Sequence, residues 1–228
     1  MHGMFRDRTD AGKRLAACLQ RLTQEPLVVV ALPRGGVPVA FEVAKALQAP
    51  LDVVLIRKIG APGQPELAVG AIADGDFVET VINADLANET GATAEYIEQQ
   101  KEAALEEIKR RRARYLKGRV RPEIADRSVI IIDDGIATGA SVRVAVKAFR
   151  QQGARRITIA VPVAPPGTVQ SLQQEVDEVI CLETPEFFPA VGAFYRDFTQ
   201  TTDDDVIDLL DRAAAFAPMP SGPPGVQR

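Results

Sequence analysis

Short apolar runs rich in Val and Ile, separated by helix-like segments, constrain the fold of this chain more than any other feature. The runs are LVVVAL (27–32), LDVVLI (51–56), SVIIID (128–133), RITIAV (156–161) and DEVICL (177–182). Near-continuous apolar runs of this length are typical of strands that are buried on both faces, as in a parallel sheet. Their spacing is that of β-α-β units. The sequence therefore predicts an α/β fold with a doubly wound, mostly parallel five-stranded sheet flanked by helices.

Helices are expected over much of the remaining chain. They are an N-terminal helix that begins after Asp10 as its N-cap, the helices 37–48, 141–153 and 168–176 between strands, a long helix from about Thr93 to Lys117, and a last helix at 203–216. Gly118 and Gly153 stand where glycine commonly ends a helix. Acidic residues open the last helix, where they favour its dipole.

The segment between the second and third runs is too long for one crossover connection. It opens with a Gly/Pro-rich stretch, RKIGAPGQPE (57–66), which is expected to be a loop. Two β-like pieces follow, LAVGAIA (67–73) and FVETVIN (77–83), with Asp74-Gly75-Asp76 between them. Because Asp-Gly is a strong turn signal, this part predicts a β-hairpin.

Composition excludes several kinds of catalytic site. The chain has one histidine, His2, so a Ser-His-Asp triad, a Cys-His pair and a His-rich metal site are ruled out. It has two cysteines, Cys18 and Cys181, which argue against a disulfide framework and are expected to be small core residues. Chemistry must then come from carboxylates, Lys, Arg, hydroxyls, backbone amides or a bound metal ion.

Charge and hydropathy restrict the expected binding partners and cellular location of the protein. The net charge of −4 makes general nucleic-acid binding an unfavoured hypothesis. No apolar run reaches the length of a membrane span, and the N-terminus MHGMFRDRTD lacks the apolar region of a secretory signal. A cytoplasmic location without membrane association is therefore expected.

The segment IIIDDGIATGAS (130–141) carries the clearest chemical signal. An apolar strand runs into Asp133 and Asp134, then into a turn of small residues, then into a helix. The turn, made by Ala137, Thr138, Gly139, Ala140 and Ser141, offers backbone amides at a helix N-terminus, which is a phosphate-binding arrangement. The carboxylates suit sugar hydroxyls or the waters of Mg²⁺. An alternative is a structural strand-end turn whose acids cap a helix.

This segment resembles the ribose-phosphate loop of the type I phosphoribosyltransferases, and the resemblance extends over about residues 27–185. LPRGG, which follows the first strand, is similar to the pyrophosphate loop of the family, with Arg34, Gly35 and Gly36 as the binding residues. The resemblance also implies a cis peptide without proline in that loop, expected at Arg34-Gly35. Arg57 and Lys58 open a segment that looks like the flexible catalytic loop.

The resemblance implies a function. Asp133, Asp134, Arg57 and Lys58 would be catalytic, residues 137–141 would bind the 5′-phosphate, and Mg²⁺ would be held by Asp133 and Asp134 through water or ribose hydroxyls. The substrates would be phosphoribosyl pyrophosphate and a small nitrogenous acceptor. Closure of residues 57–83 would exclude water, and the protein would be a homodimer. Ala137 stands where members acting on 6-oxopurines have an acid, so such a base is not expected.

The same resemblance divides the chain into a single domain, 1–217, with a core at about 27–185 and a hood formed by 1–25 and 184–217. The tail 218–228 is Pro/Gly-rich and is expected to be disordered. The hood segment TPEFFPAVGAFYRDFTQ (184–200) concentrates aromatic residues, of which Phe188 and Tyr195 are the candidates for acceptor binding. Packing of the hood is the alternative explanation for them.

A basic run, Lys109-Arg110-Arg111-Arg112-Ala113-Arg114, follows Glu102, Glu106 and Glu107 along the long helix. Helical spacing predicts ion pairs between these groups, and therefore a solvated helix face. A subunit interface and an RNA-binding surface are the alternatives. The latter would suit a protein that senses phosphoribosyl pyrophosphate or a nucleotide without turnover.

Overall fold

The computed structural model describes residues 4–73 and 79–216. In chain order its elements are α1 (Arg8–Leu19), a 3₁₀-helix (Gln20–Gln24), β1 (Leu27–Ala31), α2 (Gly36–Leu47), β2 (Leu51–Val53), β3 (Ile56–Ala61), β4 (Gln64–Ala73), β5 (Glu79–Ile82), α3 (Ala84–Glu89), α4 (Ala94–Leu116), β6 (Ser128–Ile132), α5 (Ala140–Gln151), β7 (Arg156–Val163), α6 (Pro166–Leu172), β8 (Glu178–Glu183), a second 3₁₀-helix (Val191–Phe194) and α7 (Asp203–Ala213).

The predicted parallel sheet is confirmed. It has five strands in the order β2-β1-β6-β7-β8, and every neighbouring pair is parallel. The order reverses between β1 and β6, which lie side by side at the centre of the sheet. The amide of Leu32 donates to the carbonyl of Ile132 over 2.9 Å, so the loops after β1 and β6 leave the sheet together. In α/β sheets this switch point at the carboxyl edge is where ligands bind.

Side chains of the central strands alternate between two apolar layers. In β1, Val29 faces the layer that contains buried residues of α1, α2, α4 and α7. Val28 and Val30 face the layer formed with α5 and α6, which includes Phe149 and Leu172. Because both faces of these strands are buried, their sequence is continuously apolar rather than alternating.

The prediction for residues 57–66 is wrong. This stretch is not a loop, because it contains β3 and the start of β4, which pair with β5 in a separate three-stranded antiparallel sheet. The run 51–56 accordingly divides between β2 and β3. Gly60 allows the hairpin because a Cβ there would lie 2.6 Å from the carbonyl oxygen of Pro65, and the register shifts beside it. The predicted turn 74–76 lies outside the described residues.

The helix termini confirm most of the sequence-based boundaries, with corrections at α1 and α6. The helix predicted at 168–176 is α6, which begins at Pro166 and ends at Leu172. Helix α4 begins after its N-cap Thr93, and Gly118 follows its end with φ 78°. The N-cap of α1 is Asp7 rather than Asp10, since the Asp7 carboxylate accepts a hydrogen bond from the amide of Asp10 over 2.7 Å. Asp10 itself lies inside the helix.

The two cysteines have different surroundings. Cys18 is exposed on α1, so its prediction as a core residue is wrong. Cys181 is half-buried in β8, and burial raises the pKa of its thiol to about 11. Such a thiol is protonated at neutral pH and is a poor nucleophile.

Residues from the two ends of the described chain pack against each other. The amide of Phe5 donates to the carbonyl of Phe194 over 3.0 Å, and the amide of Arg196 donates to the carbonyl of Phe5 over 2.9 Å. Phe5, Phe194 and Tyr195 form a small apolar cluster with Val163 at the end of β7. These contacts place the N-terminal segment beside the carboxyl edge of the parallel sheet. No helix in residues 4–73 or 79–216 is long and apolar enough to span a bilayer.

Replacing Thr202 by Ala will lower the free energy of unfolding by about 1 kcal/mol. Thr202 caps α7 in a reciprocal arrangement, in which its hydroxyl accepts from the amide of Asp205 and the Asp205 carboxylate accepts from the amide of Thr202. The measurement is chemical denaturation. Thr202→Ser keeps the hydroxyl and should retain most of the stability; equal losses in both variants would contradict a capping role.

Candidate active site

Asp133 and Asp134 follow β6 directly and are partly buried at the carboxyl edge of the sheet. The amide of Asp134 donates to Oδ1 of Asp133 over 2.9 Å, which orients the first carboxylate. Burial, together with the neighbouring Asp134 carboxylate, raises the pKa of Asp133 well above its usual range, while Arg8 acts in the opposite direction. A carboxyl pair in this setting favours partners that bring hydrogen-bond donors or positive charge.

Arg8 is a site residue that the sequence did not indicate. Its Nε donates to Oδ2 of Asp134 over 2.8 Å, and the side chains are 11% and 14% exposed. Tyr195 contacts the same residue from another side, because its hydroxyl donates to the backbone carbonyl of Asp134 over 2.5 Å. No periodicity or motif could have paired Arg8 with an acid 126 positions away.

The loop after β1 approaches the acid pair closely. A Cβ on Gly35 would lie 2.1 Å from Oδ2 of Asp134, and a Cβ on Gly36 would lie 2.7 Å from the carbonyl oxygen of Ile132. Glycine is required at both positions because a side chain would occupy space that the β6 loop already fills. The loop contains a cis peptide at Pro33-Arg34, one residue before the predicted position.

Arg34 is held beside the site by an acid from α7. Its Nη1 lies 3.6 Å from Oδ1 of Asp203, and the side chain is 39% exposed. The Tyr115 hydroxyl donates to the same carboxylate over 2.6 Å and lowers the pKa of Asp203, which Arg114 also contacts. Arg34 therefore keeps a restrained position while much of its guanidinium remains accessible to an anion.

The loop 137–141 presents unpaired amides. Gly139 has φ 78° and stands as the N-cap of α5. Among the described residues, none accepts a hydrogen bond from the backbone amides of positions 137–141. The carbonyls are engaged instead: Thr168 donates to the carbonyl of Ala137 and Arg143 to that of Thr138, each over 2.7 Å. A loop at a helix N-terminus whose amides are free, and whose carbonyls already accept hydrogen bonds from side chains, suits a phosphate group.

The structure separates the two cations of the predicted catalytic loop. Arg57 and Lys58 are neighbours in β3, where they pair with Ile72 and Ala71, so their side chains lie on opposite faces of the small sheet. Lys58 lines a cavity of about 410 Å³ that also includes Ser141 at the start of α5. Of the two cations, Lys58 therefore faces the loop 137–141, whereas Arg57 lies on the other face of the small sheet.

The predicted acceptor residues differ in accessibility. Tyr195 is 6% exposed, and its ring packs against Phe5 and Phe198 with centroid distances of 5.4 and 5.1 Å. Phe188 is half-buried, with its ring 5.0 Å from that of Phe194. Packing accounts for Tyr195 without a ligand, so the acceptor role stays a prediction that suits Phe188 better.

The basic run on α4 is largely paired within the chain. Lys109 binds Glu106, both Arg110 and Arg111 bind Glu107, and Arg114 binds acids at the start of α7. These ion pairs support the interpretation as a solvated helix face. They leave little unneutralised charge for a nucleic-acid surface.

Comparisons with known proteins show the family to which this chain belongs. The family model described as Phosphoribosyl transferase domain matches residues 6–199. Two Mycobacterium tuberculosis proteins, from strains H37Rv and CDC 1551, bear the provisional name phosphoribosyl transferase and are 49% identical to this chain over 210 residues. Those matches cover 92% of this chain but 47% of each relative. The chain thus spans about half the length of the curated relatives it matches.

Among solved structures, the crystal structure of TT1426 from Thermus thermophilus is similar to this chain. The TM-score is 0.78 at 42% identity, and the match covers 94% of this chain and 99% of that one. A more local similarity, 40% identity over 58 residues, links 25% of this chain with 28% of a uracil phosphoribosyltransferase from Lactobacillus gasseri. The first similarity therefore covers nearly the whole of both chains.

Proposed function

Because this chain belongs to the phosphoribosyl transferase domain family, we propose that it transfers the 5-phosphoribosyl group from phosphoribosyl pyrophosphate to a nitrogenous acceptor and releases pyrophosphate. One observation carries this proposal. The loop with free amides at 137–141, the acid pair and the glycine loop after β1 meet at one edge of the sheet. These are binding groups for a phosphate, a sugar and a second anion, in a contiguous arrangement.

Each part of the substrate has a matching group. The amides of residues 137–141 and the hydroxyls of Thr138 and Ser141 would hold the 5′-phosphate. Asp133 and Asp134 would accept hydrogen bonds from the ribose hydroxyls. Arg34, with the loop at Gly35 and Gly36, would bind pyrophosphate, and Lys58 would add positive charge from β3. Arg57 lies on the opposite face of β3 from Lys58, so the catalytic role predicted for it requires β3 and β4 to rearrange.

The reaction needs positioning and electrostatics rather than a protein nucleophile. A nitrogen lone pair of the acceptor forms the new bond to the anomeric carbon, and the bond from that carbon to the pyrophosphate oxygen breaks. Pyrophosphate leaves with the bonding electrons, and the acceptor nitrogen releases its proton to solvent. Positive charge develops on the ribose ring, beside the two carboxylates of Asp133 and Asp134, which would stabilise it.

The donor set suits a magnesium ion that arrives with its substrate. In the described ranges, no group of three or more His, Cys, Asp or Glu residues could form a metal site of its own. Two adjacent carboxylates fit Mg²⁺ better than most other ions, since Mg²⁺ keeps several waters and binds through one or two carboxylates plus substrate phosphates. Asp133 and Asp134 would hold it, and the ion would neutralise charge on the leaving pyrophosphate.

The acceptor is proposed to be a nucleobase other than a 6-oxopurine. Ala137 carries no side-chain acceptor for a base nitrogen, and no other acid is adjacent to it in the loop. Phe188, which is half-buried with its ring 5.0 Å from that of Phe194, is the proposed contact for an aromatic ring. The homodimer and the cytoplasmic location expected from the sequence stay predictions, of which the first is checked by sedimentation equilibrium.

Incubating the protein with phosphoribosyl pyrophosphate, Mg²⁺ and a panel of bases and small amines will release pyrophosphate with at least one acceptor. The measurement is a coupled pyrophosphate assay, with mass spectrometry of the ribosylated product. A reaction in excess chelator provides the control for Mg²⁺ dependence. Binding of phosphoribosyl pyrophosphate without consumption by any acceptor would overturn the transferase proposal and favour a ligand sensor.

A further inference from the structure

Arg8, in the first turn of α1, connects three segments that are distant in sequence. Its Nε donates to Oδ2 of Asp134, and its Nη1 donates to the carbonyl of Thr199, both over 2.8 Å. Its guanidinium carbon lies 3.9 Å from the ring centroid of Phe198. One side chain thus bonds the acid pair and the segment that follows the hood aromatics.

The environment makes this ion pair different from a surface pair. Both side chains are largely buried, so water screens the Arg8–Asp134 contact far less than it screens an exposed pair. The ring of Phe198 covers one face of the guanidinium, and the two hydrogen bonds set its rotation. The carbonyl of Thr199 and the ring of Phe198 hold the guanidinium independently of the acid, so the guanidinium in turn restrains the position of Oδ2 of Asp134.

Docking of α1 does not depend on Arg8. The helix is held by Leu15 and Leu19, which are 0% exposed in the apolar layer that it shares with α2. The amide and carbonyl of Phe5 also bond to the hood segment. The polar contacts of Arg8 are therefore additional to the packing that fixes the helix, and they converge on a residue of the candidate site.

We infer that Arg8 is a positioning residue, which holds the Asp134 carboxylate against the substrate ribose and couples its placement to the 198–199 segment on the acceptor side. This role rests on the proposed transferase function. Asp134 remains present when Arg8 is replaced, but its orientation is no longer defined. Misplacement of a catalytic group by about 1 Å costs on the order of 100-fold in rate, so the main effect should appear in kcat.

The experiment compares Arg8→Met, Arg8→Lys and Arg14→Met. Met keeps an unbranched apolar stem without the charge, whereas Lys restores a cation. Arg14 is the matched control on the same helix, because it pairs with Asp10 over 2.8 Å and lies over the ring of Phe5 without contacting the acid pair. We expect kcat to fall about 10- to 100-fold in Arg8→Met, with KM for phosphoribosyl pyrophosphate changed less.

The remaining expectations separate positioning from packing. Arg8→Lys should recover a substantial part of kcat, and Arg14→Met should retain wild-type kinetics. In an Asp134→Asn background, the change Arg8→Met should cost much less than in the wild type, because the charge that Arg8 orients is gone. Equal losses in Met and Lys variants, or the same cost in both backgrounds, would overturn the inference in favour of a packing role.

The test also distinguishes failure of the inference from failure of the proposed function. Wild-type protein that consumes no acceptor contradicts the transferase proposal alone, and the role of Arg8 is then judged by crystal structures of Arg8→Met and Arg14→Met. A displaced or disordered Asp134 carboxylate only in Arg8→Met supports the inference. An unmoved Asp134 carboxylate in Arg8→Met overturns it, whatever the reaction of the wild type.

Discussion

Replacing Asp133 or Asp134 by Asn will remove most transferase activity while the protein still folds. Asn has nearly the same shape as Asp but lacks the negative charge that would face the developing cation on the ribose. Loss of one preorganised electrostatic contact of this kind costs about 10²- to 10³-fold in kcat. The measurement is pyrophosphate release at saturating phosphoribosyl pyrophosphate, with circular dichroism to verify folding.

The two variants should differ in stability. The folded-state pKa of Asp133 is raised, mainly by burial and also by its neighbour, so ionised Asp133 destabilises the native state at neutral pH. Asp133→Asn should therefore leave the unfolding temperature unchanged or raise it. Asp134→Asn removes the ion pair with Arg8 and should lower it. A lower unfolding temperature in Asp133→Asn than in Asp134→Asn would contradict this account.

Asp126→Asn is the matched control for both variants. Asp126 is exposed before the amino end of β6, at the opposite edge of the sheet, and has φ 59°, which Asn adopts readily. It should retain wild-type activity and stability. Near-wild-type activity in both Asp133→Asn and Asp134→Asn would reject the assignment of the acid pair to catalysis.

Gly35→Ala will inactivate the protein by displacing Asp134. The added methyl would lie 2.1 Å from Oδ2 of Asp134, a contact that only movement of this carboxylate relieves. Moving it breaks the Arg8 ion pair and the proposed ribose contact, so we expect a loss of about 100-fold in kcat. Overpacking should also reduce the free energy of unfolding by about 1–3 kcal/mol.

Gly36→Ala should destabilise more than Gly35→Ala, because its methyl would meet backbone atoms of β6, including the carbonyl oxygen of Ile132 at 2.7 Å. Gly167→Ala is the control: nothing lies within 4 Å of a Cβ there, and alanine is a better helix former. Activity assays and thermal unfolding of the three variants check this predicted order of stability, in which Gly36→Ala is the least stable and Gly167→Ala the most stable. Full activity in Gly35→Ala would show that the β1 loop does not restrict Asp134.

Local sequence patterns were sufficient to predict most of the strands and helices of the parallel fold. The apolar runs at β1, β6 and β7 identify strands because both faces of each strand are buried, and α4 was delimited by Thr93 and Gly118. The segment 57–66 was misassigned because its Gly and Pro residues are typical of loops. The segment forms strands because β3 pairs with β4 and because the backbone at Gly60 lies close to Pro65. Local sequence patterns do not identify the partner of a strand.

The sequence by itself determined the α/β class, the acid pair at the end of β6 and the turn of small residues at 137–141, because each depends on residues that are consecutive in the chain. Only the tertiary structure decided that Arg8 binds Asp134, that Gly35 touches the same carboxylate, and that Arg57 and Lys58 face opposite ways. Those relations depend on strand order, sheet pairing and helix docking. They join groups more than a hundred positions apart in one case and separate immediate neighbours in another.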